Sequence, residues 1–199
     1  HVDSLDGLIL FGRTEVLGGD QLEVITRLDF DTGNLMWEWS APLDVNRETS
    51  LFRADGGFLW RGINLHTAQS HLFSFNLETG MQQYAQAPAS TAAGGFSPPG
   101  YDLREVKSLT AQGDVVVSAR RSDALQEGQS ATSVYRVAPD GRVTAVYNSD
   151  PAIVRGNQLI VSGVQRIETS GGSVGVALHA GATGLSQLAL LNEGLNLQW

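Results

Sequence analysis

LDFDTGNLMWEW, residues Leu28–Trp39, is the stretch whose reading decides the fold. It is entered through LEVITRLDF, Leu22–Phe30, where Val24, Thr26 and Leu28 alternate with Glu23, Ile25, Arg27 and Asp29, the period of two that defines a strand. Asp29-Phe30-Asp31-Thr32-Gly33 then supplies a reversal, with carboxylates placed to accept backbone amides and a glycine free to take positive φ. Beyond it Leu35, Trp37 and Trp39 alternate with Met36, Glu38 and Ser40, so the outgoing strand is expected to bury two large rings.

Weaker copies of this strand, turn and strand recur at intervals of roughly 40 to 60 residues, the spacing of repeat folds. NLETGMQQY, Asn76–Tyr84, has the same grammar, with Glu78, Thr79 and Gly80 in the turn and Tyr84 near the aromatic position. Pro139-Asp140-Gly141 marks the turn of a third unit, and Ser170-Gly171-Gly172 that of a fourth, which also holds Ala182-Thr183-Gly184. The units span 1–43, 48–87, 105–149 and 151–191, with 88–104 as the loop between the second and third. In the fourth, NQLIVSGVQRIE reads as a single strand. No amphipathic helix interrupts them. An all-β chain of four-strand antiparallel units is the description of β-propeller blades, with a β-sandwich as the rival architecture. Residues 192–199, containing EGLNLQW, read as a strand that either closes a small ring or opens a further blade; an open arc completed by another chain is the third possibility.

Composition bounds the function. The 199 residues can hold one domain with a proper core, and no apolar run approaches the length of a membrane span. A formal charge of −8, with Lys107 the single lysine, leaves no basic stripe for a phosphate backbone, so nucleic acid is not an expected partner. With no cysteine, thiolate metal sites and cysteine nucleophiles are excluded. The chain starts at His1 without a signal-like n-region and h-region, which suits a processed or excised piece.

Candidate sites are few. Ala87–Arg104, APASTAAGGFSPPGYDLR, excludes regular structure through its Gly, Ala and adjacent prolines; Phe96, Pro98, Pro99 and Tyr101 are the residues there that could anchor a partner. Asp29 and Asp31 overlap the start of a calcium loop but lack its later ligands, so turn chemistry is the expectation. His66 and His71 flank a hairpin loop, and His179 falls on a strand. Arg120-Arg121 reads as a solvated strand end. The aromatics Trp37, Trp39, Phe58, Trp60, Phe73, Phe75 and Tyr84 alternate with polar neighbours, which favours core packing over a sugar-stacking platform. No nucleophile elbow, dinucleotide fingerprint or P-loop occurs.

At LDFDTGNLMWEW, and less closely at FSFNLETGMQQY, the chain resembles the quinoprotein-like (PQQ-repeat-like) β-propellers, whose blades carry an Asp-x-x-Thr-Gly turn before an aromatic fourth strand. The resemblance implies either a quinone-dependent dehydrogenase or one of the scaffold propellers without cofactor that assemble complexes outside the cytoplasm. The charged and aromatic funnel, the calcium site and the vicinal cysteines of the dehydrogenases find no counterpart in this sequence. The expectation is a non-enzymatic, extracytoplasmic binding or scaffolding subunit with a protein partner and no cofactor; a degenerate dehydrogenase and a carbohydrate-binding propeller are the alternatives.

Overall fold

The computed structural model describes residues 7–15, 21–41, 45–53, 55–64, 69–84, 95–180 and 185–199, and in them the chain is a succession of antiparallel sheets. β1 (Gly7–Glu15), β2 (Gln21–Asp29) and β3 (Leu35–Ser40) form the first, and β4 (Val45–Phe52), β5 (Gly57–Asn64) and β6 (Ser70–Asn76) the second. The third has four strands in sequence order: β7 (Tyr101–Ser108), β8 (Val115–Arg121), β9 (Thr132–Val137) and β10 (Val143–Asn148). A separate hairpin of β11 (Ile153–Arg155) and β12 (Gln158–Ile160) precedes the last sheet, β13 (Ser162–Ser170), β14 (Ser173–Ala180) and β15 (Leu185–Leu191). Single bridges add an outermost segment to two sheets, Gln82 to Phe75 in the second and Leu197 to Leu191 in the fourth. The start of the first unit at 1–6, the end of the second at 85–87 and the Ala182-Thr183-Gly184 turn lie outside the described residues.

The sheets stack face to face through three apolar clusters, one at each seam. Ile9, Ile25 and Trp37 of the first sheet meet Phe58, Trp60, Phe73 and Phe75 of the second. Strand alternation turns Leu59 and Leu72 to the opposite face, where they join Phe96, Leu103, Val115 and Val117. Val116 and Val134 in turn face Ile167, Val174, Val176 and Leu191 of the fourth sheet. Sheets two and three are therefore covered on both sides, which is why β6 is buried from Ser70 to Phe75 without an exposed alternate. Each such side chain contributes about 1.5–3 kcal/mol on burial.

Polar bonds cross every seam. Trp37 Nε1 donates to the Leu77 carbonyl at 2.7 Å. Arg53, whose side chain is wholly buried, donates to Ser74 Oγ at 2.7 Å, to Gln83 Oε1 at 2.8 Å and across to the Pro139 carbonyl at 3.3 Å, while pairing with Asp55 at 2.7 Å. Arg136 donates to Asp114 at 3.1 Å and to the Glu193 carbonyl at 2.9 Å. Successive small antiparallel sheets, stacked in chain order and tied at each seam, are the blades of a β-propeller arc.

Tyr101–Arg104, expected within an irregular loop, belong to β7, and two further stretches depart from the sequence reading. The fourth blade starts at Ser162 rather than Pro151, because Ile153–Ile160 folds on itself: Gly156 takes φ 61° at the first central position of a two-residue turn, as a primed hairpin requires. The strand read through NQLIVSGVQRIE is accordingly split between β12 and β13. EGLNLQW neither closes a ring nor opens another blade; it returns along β15, with Leu190 N–H donating to the Trp199 carbonyl at 3.1 Å and Gln198 N–H to the Leu190 carbonyl at 2.8 Å. Asn192 makes that reversal, its Oδ1 accepting the amides of Gly194 and Asn196 at 3.0 Å each. Leu195 holds φ 58° in the same turn, stabilised by burial in the third cluster.

Candidate binding site

The tight turns gather at one end of the blades. At Asp29–Gly33, Asp29 Oδ1 accepts the Thr32 amide at 2.8 Å and its hydroxyl at 2.6 Å, and the Asn34 amide donates back to Thr32 Oγ1 at 3.3 Å. Asn76 and Thr79 repeat the pattern, at 2.9, 3.1 and 3.3 Å to the Met81 amide. Hydrogen bonds from Thr32 hold the Asp29 carboxyl below the usual carboxylate range. Asp31 and Glu78 point into solvent, and Gly33 and Gly80 take φ 69° and 70°. Asp140 caps its own turn by accepting the Arg142 amide at 3.0 Å, with Gly141 at φ 85°. The carboxylates of this end organise backbone.

The aromatics named from the sequence lie inside. Trp60 and Tyr84 are fully buried, and burial pushes the Tyr84 hydroxyl up to about 12. Trp39 is half-buried, meeting Trp60 edge-on at 5.4 Å and Phe75 at 4.7 Å. Phe96, expected to stand out as an anchor, is a core residue instead. Its amide and carbonyl pair with Leu72, and its ring meets Tyr135 edge-on at 5.8 Å, so the loop seals the seam between the second and third blades. Pro98 is buried, Pro99 is exposed, and half-buried Tyr101 receives Arg121 Nη2 at its hydroxyl at 3.3 Å, with the guanidinium 5.1 Å from its ring. His66 lies outside the described residues. His71 is buried against Phe73, and desolvation lowers its pKa. Among the described residues no three His, Asp or Glu side chains are grouped to hold a metal ion.

A candidate surface lies at the opposite end, between the third and fourth blades. A cleft of about 260 Å³ is lined by Arg120, Thr132, Gln165 and His179 with valines 161 and 164. It forms where β13 passes close to β9, a closeness that Gly163 permits: a Cβ there would sit 2.9 Å from Thr132 Oγ1. A cation, an imidazole, an amide and a hydroxyl in one cleft can donate to carbonyls or carboxylates. Beside the cleft stands the β11–β12 hairpin, clamped at its base by Gly128 N–H to the Ala152 carbonyl and Ala152 N–H to the Gln129 carbonyl, each 2.8 Å, and by the Val154 amide to Glu127 Oε1 at 3.3 Å. Val154 pairs across it with Leu159, and these two and Ile153 are all exposed.

Sequence reading missed this hairpin, although IVRGNQLI carries the signal of two short β-branched runs about a Gly-Asn pair. It placed Arg120 at a strand end and His179 on a strand without joining them, since they come from different blades.

No protein-family model matches the chain, and no curated protein sequence matches it. Among solved structures it is similar to the β-propeller domain of the Trilobed protease from Pyrococcus furiosus, described as having an open velcro topology, at 9% identity and a TM-score of 0.47 over 92% of this chain and 53% of that one. It is similar also to an acylaminoacyl peptidase in complex with a chloromethyl ketone, at 10% identity and a TM-score of 0.45 over 92% of this chain and 30% of that one. The Pyrococcus horikoshii acylaminoacyl peptidase gives 10% identity and a TM-score of 0.46, over 96% and 34%. The chain thus spans about half or a third of the length of these neighbours.

Proposed function

We propose that the chain is a protein-binding propeller module that acts as a scaffold and not as an enzyme, with the β11–β12 hairpin and the adjoining cleft as its contact surface. The observation that supports this reading is the hairpin itself. Among the described residues its two strands form a sheet only with each other, yet it exposes Ile153, Val154 and Leu159. An apolar ridge beside Arg120, Gln165 and His179 has the make-up of a protein interface, apolar centre with polar rim. Kinship with the quinoprotein-like scaffold propellers is supported by the two turns at Asp29–Gly33 and Asn76–Gly80, which share every side-chain bond. An extracytoplasmic location belongs to this proposal through that kinship alone.

The test compares wild type with the triple variant Ile153→Ser, Val154→Thr, Leu159→Ser as immobilised bait in native extract of the source organism. A partner held by wild type and released by the variant, with blade structure unchanged by circular dichroism, is the expected result. Equal retention by both, or none by either, overturns the proposal.

A further inference from the structure

Two cross-strand pairs face each other across the cleft between the third and fourth blades. Arg120 of β8 stands directly opposite Thr132 of β9, and Gly163 of β13 directly opposite His179 of β14. Residues opposite one another in a ladder project to the same side of their sheet. A Cβ on Gly163 would lie 2.9 Å from Thr132 Oγ1, so the His179 imidazole is on the side of the fourth sheet that faces Thr132 and Arg120. The missing side chain at Gly163 leaves the space between them.

The polar groups around that space lack partners. Thr132 is 3% exposed, yet among the described residues its hydroxyl makes no hydrogen bond. A buried hydroxyl in that state is placed to bond a ligand that enters the cleft. Arg120 makes no ion pair among the described residues, in contrast to Arg53, Arg121, Arg136 and Arg166, each of which holds a carboxylate. Asp102, its other cross-strand neighbour on β7, does not pair with it, so the guanidinium keeps its donors. The remaining wall is apolar, with Val161 and Val164. Val161 is also the single residue between β12 and β13, and Ser130, two residues before Thr132, bridges to Pro151 at the base of the hairpin. Hairpin and cleft form one continuous surface.

We propose that the cleft captures the C-terminal carboxylate of a partner polypeptide whose last residue is aliphatic. Arg120, Thr132 and His179 donate to the carboxylate, and Val161 and Val164 receive the side chain. The two-sided lining selects this chemistry. At a chain terminus a carboxylate and a side chain branch from one Cα, whereas an internal Asp or Glu brings its carboxylate on a single stem and offers the valines no second group. Residues before the last one run out over Ile153, Val154 and Leu159 of the hairpin. This assignment rests on the reading of hairpin and cleft as a protein-binding surface, and states which part of the partner enters.

Fluorescence polarisation on the purified 199-residue chain is the test, with N-terminally labelled hexapeptides randomised at the first five positions and ending in Val, Leu or Ile as the free acid. These should bind saturably, with a Kd below about 1 mM. The same peptides with an amidated C-terminus should bind about tenfold more weakly or worse, and so should an amidated set ending in Glu. Isovalerate, the bare small carboxylate, should compete only at about a hundredfold higher concentration. Arg120→Gln should weaken binding about tenfold or more, and Thr132→Val, which keeps the shape without the hydroxyl, about threefold or more, both with the unfolding midpoint recorded alongside. No binding of the free-acid peptides, equal binding of either amidated set, isovalerate competing at the peptides' own concentrations, or an Arg120→Gln or Thr132→Val protein that binds as wild type does overturns the proposal. Failure of the peptides leaves standing any partner held by the hairpin and released by its triple variant, whereas absence of that partner with the peptides still bound strikes the hairpin reading instead.

Discussion

Trp37 and Leu77 meet across the first seam, indole N–H to carbonyl oxygen at 2.7 Å, and the backbone that carries Leu77 continues into a turn whose Gly80 lies under the indole ring. This places a hydrogen bond and a large apolar surface on one side chain. Trp37→Phe keeps most of the apolar contact and strands a buried carbonyl, for an expected loss of about 1–3 kcal/mol. Trp37→Ala empties the seat as well and should cost about 3–5 kcal/mol. Urea unfolding of the two variants separates these contributions, and equal losses would show that the apolar contact of the ring contributes nothing beyond the hydrogen bond.

Gly80 and Gly33 share a backbone conformation and differ in what surrounds them. A Cβ at Gly80 would fall 2.6 Å from Trp37 Cγ, whereas at Gly33 it meets no atom of the described residues within 4 Å. Gly33→Ala should therefore cost only the left-handed strain, about 1–2 kcal/mol. Gly80→Ala should cost that plus overpacking of about 1–3 kcal/mol. Thermal denaturation in dilute solution, with both variants side by side, checks the order.

Arg53 is a buried cation bound to Asp55, Ser74, Gln83 and the Pro139 carbonyl, joining the second blade to the third. Arg53→Ala leaves those acceptors without their donor and should destabilise by about 3–5 kcal/mol. Arg53→Lys should rescue little of this, because an ammonium cannot reproduce the guanidinium fork. Denaturation midpoints of the two variants test the claim, and full rescue by lysine would refute it.

His71 is held neutral by burial, which holds its folded-state pKa below the ordinary imidazole value of about 6.5. The unfolded chain consequently binds a proton at a pH where the folded chain does not, so stability is complete above the unfolded pKa and falls as pH drops below about 6.5. His71→Phe should flatten that slope between pH 7 and pH 5. Urea midpoints across that window provide the readout.

Much of the architecture was legible because it is local. Alternation in LEVITRLDF and the Asp29–Gly33 turn specify a hairpin from neighbouring residues alone, and its copy at Asn76–Gly80 announces repetition. The strand limits in the fourth unit were not, because only Val161 separates β12 from β13, with no turn signal between them, and they are divided by how Gly156 folds the chain back before β13 joins β14. Phe96 illustrates the same limit from the other side. A loop rich in Gly and Pro reads as exposed, but the space between the second and third blades takes its ring.

The candidate cleft was the least legible part. Arg120 comes from β8 and His179 from β14, so no linear spacing relates them, and only the packing of one blade on the next brings them to a common wall. For this protein the sequence by itself determined strands, turns and their repetition, since these follow from side-chain period and backbone preference within a few residues. Tertiary structure alone decided which aromatics are sealed in seams, which segment stands free as a hairpin, and where Trp37 is seated, because burial depends on the neighbouring blade and not on the residue.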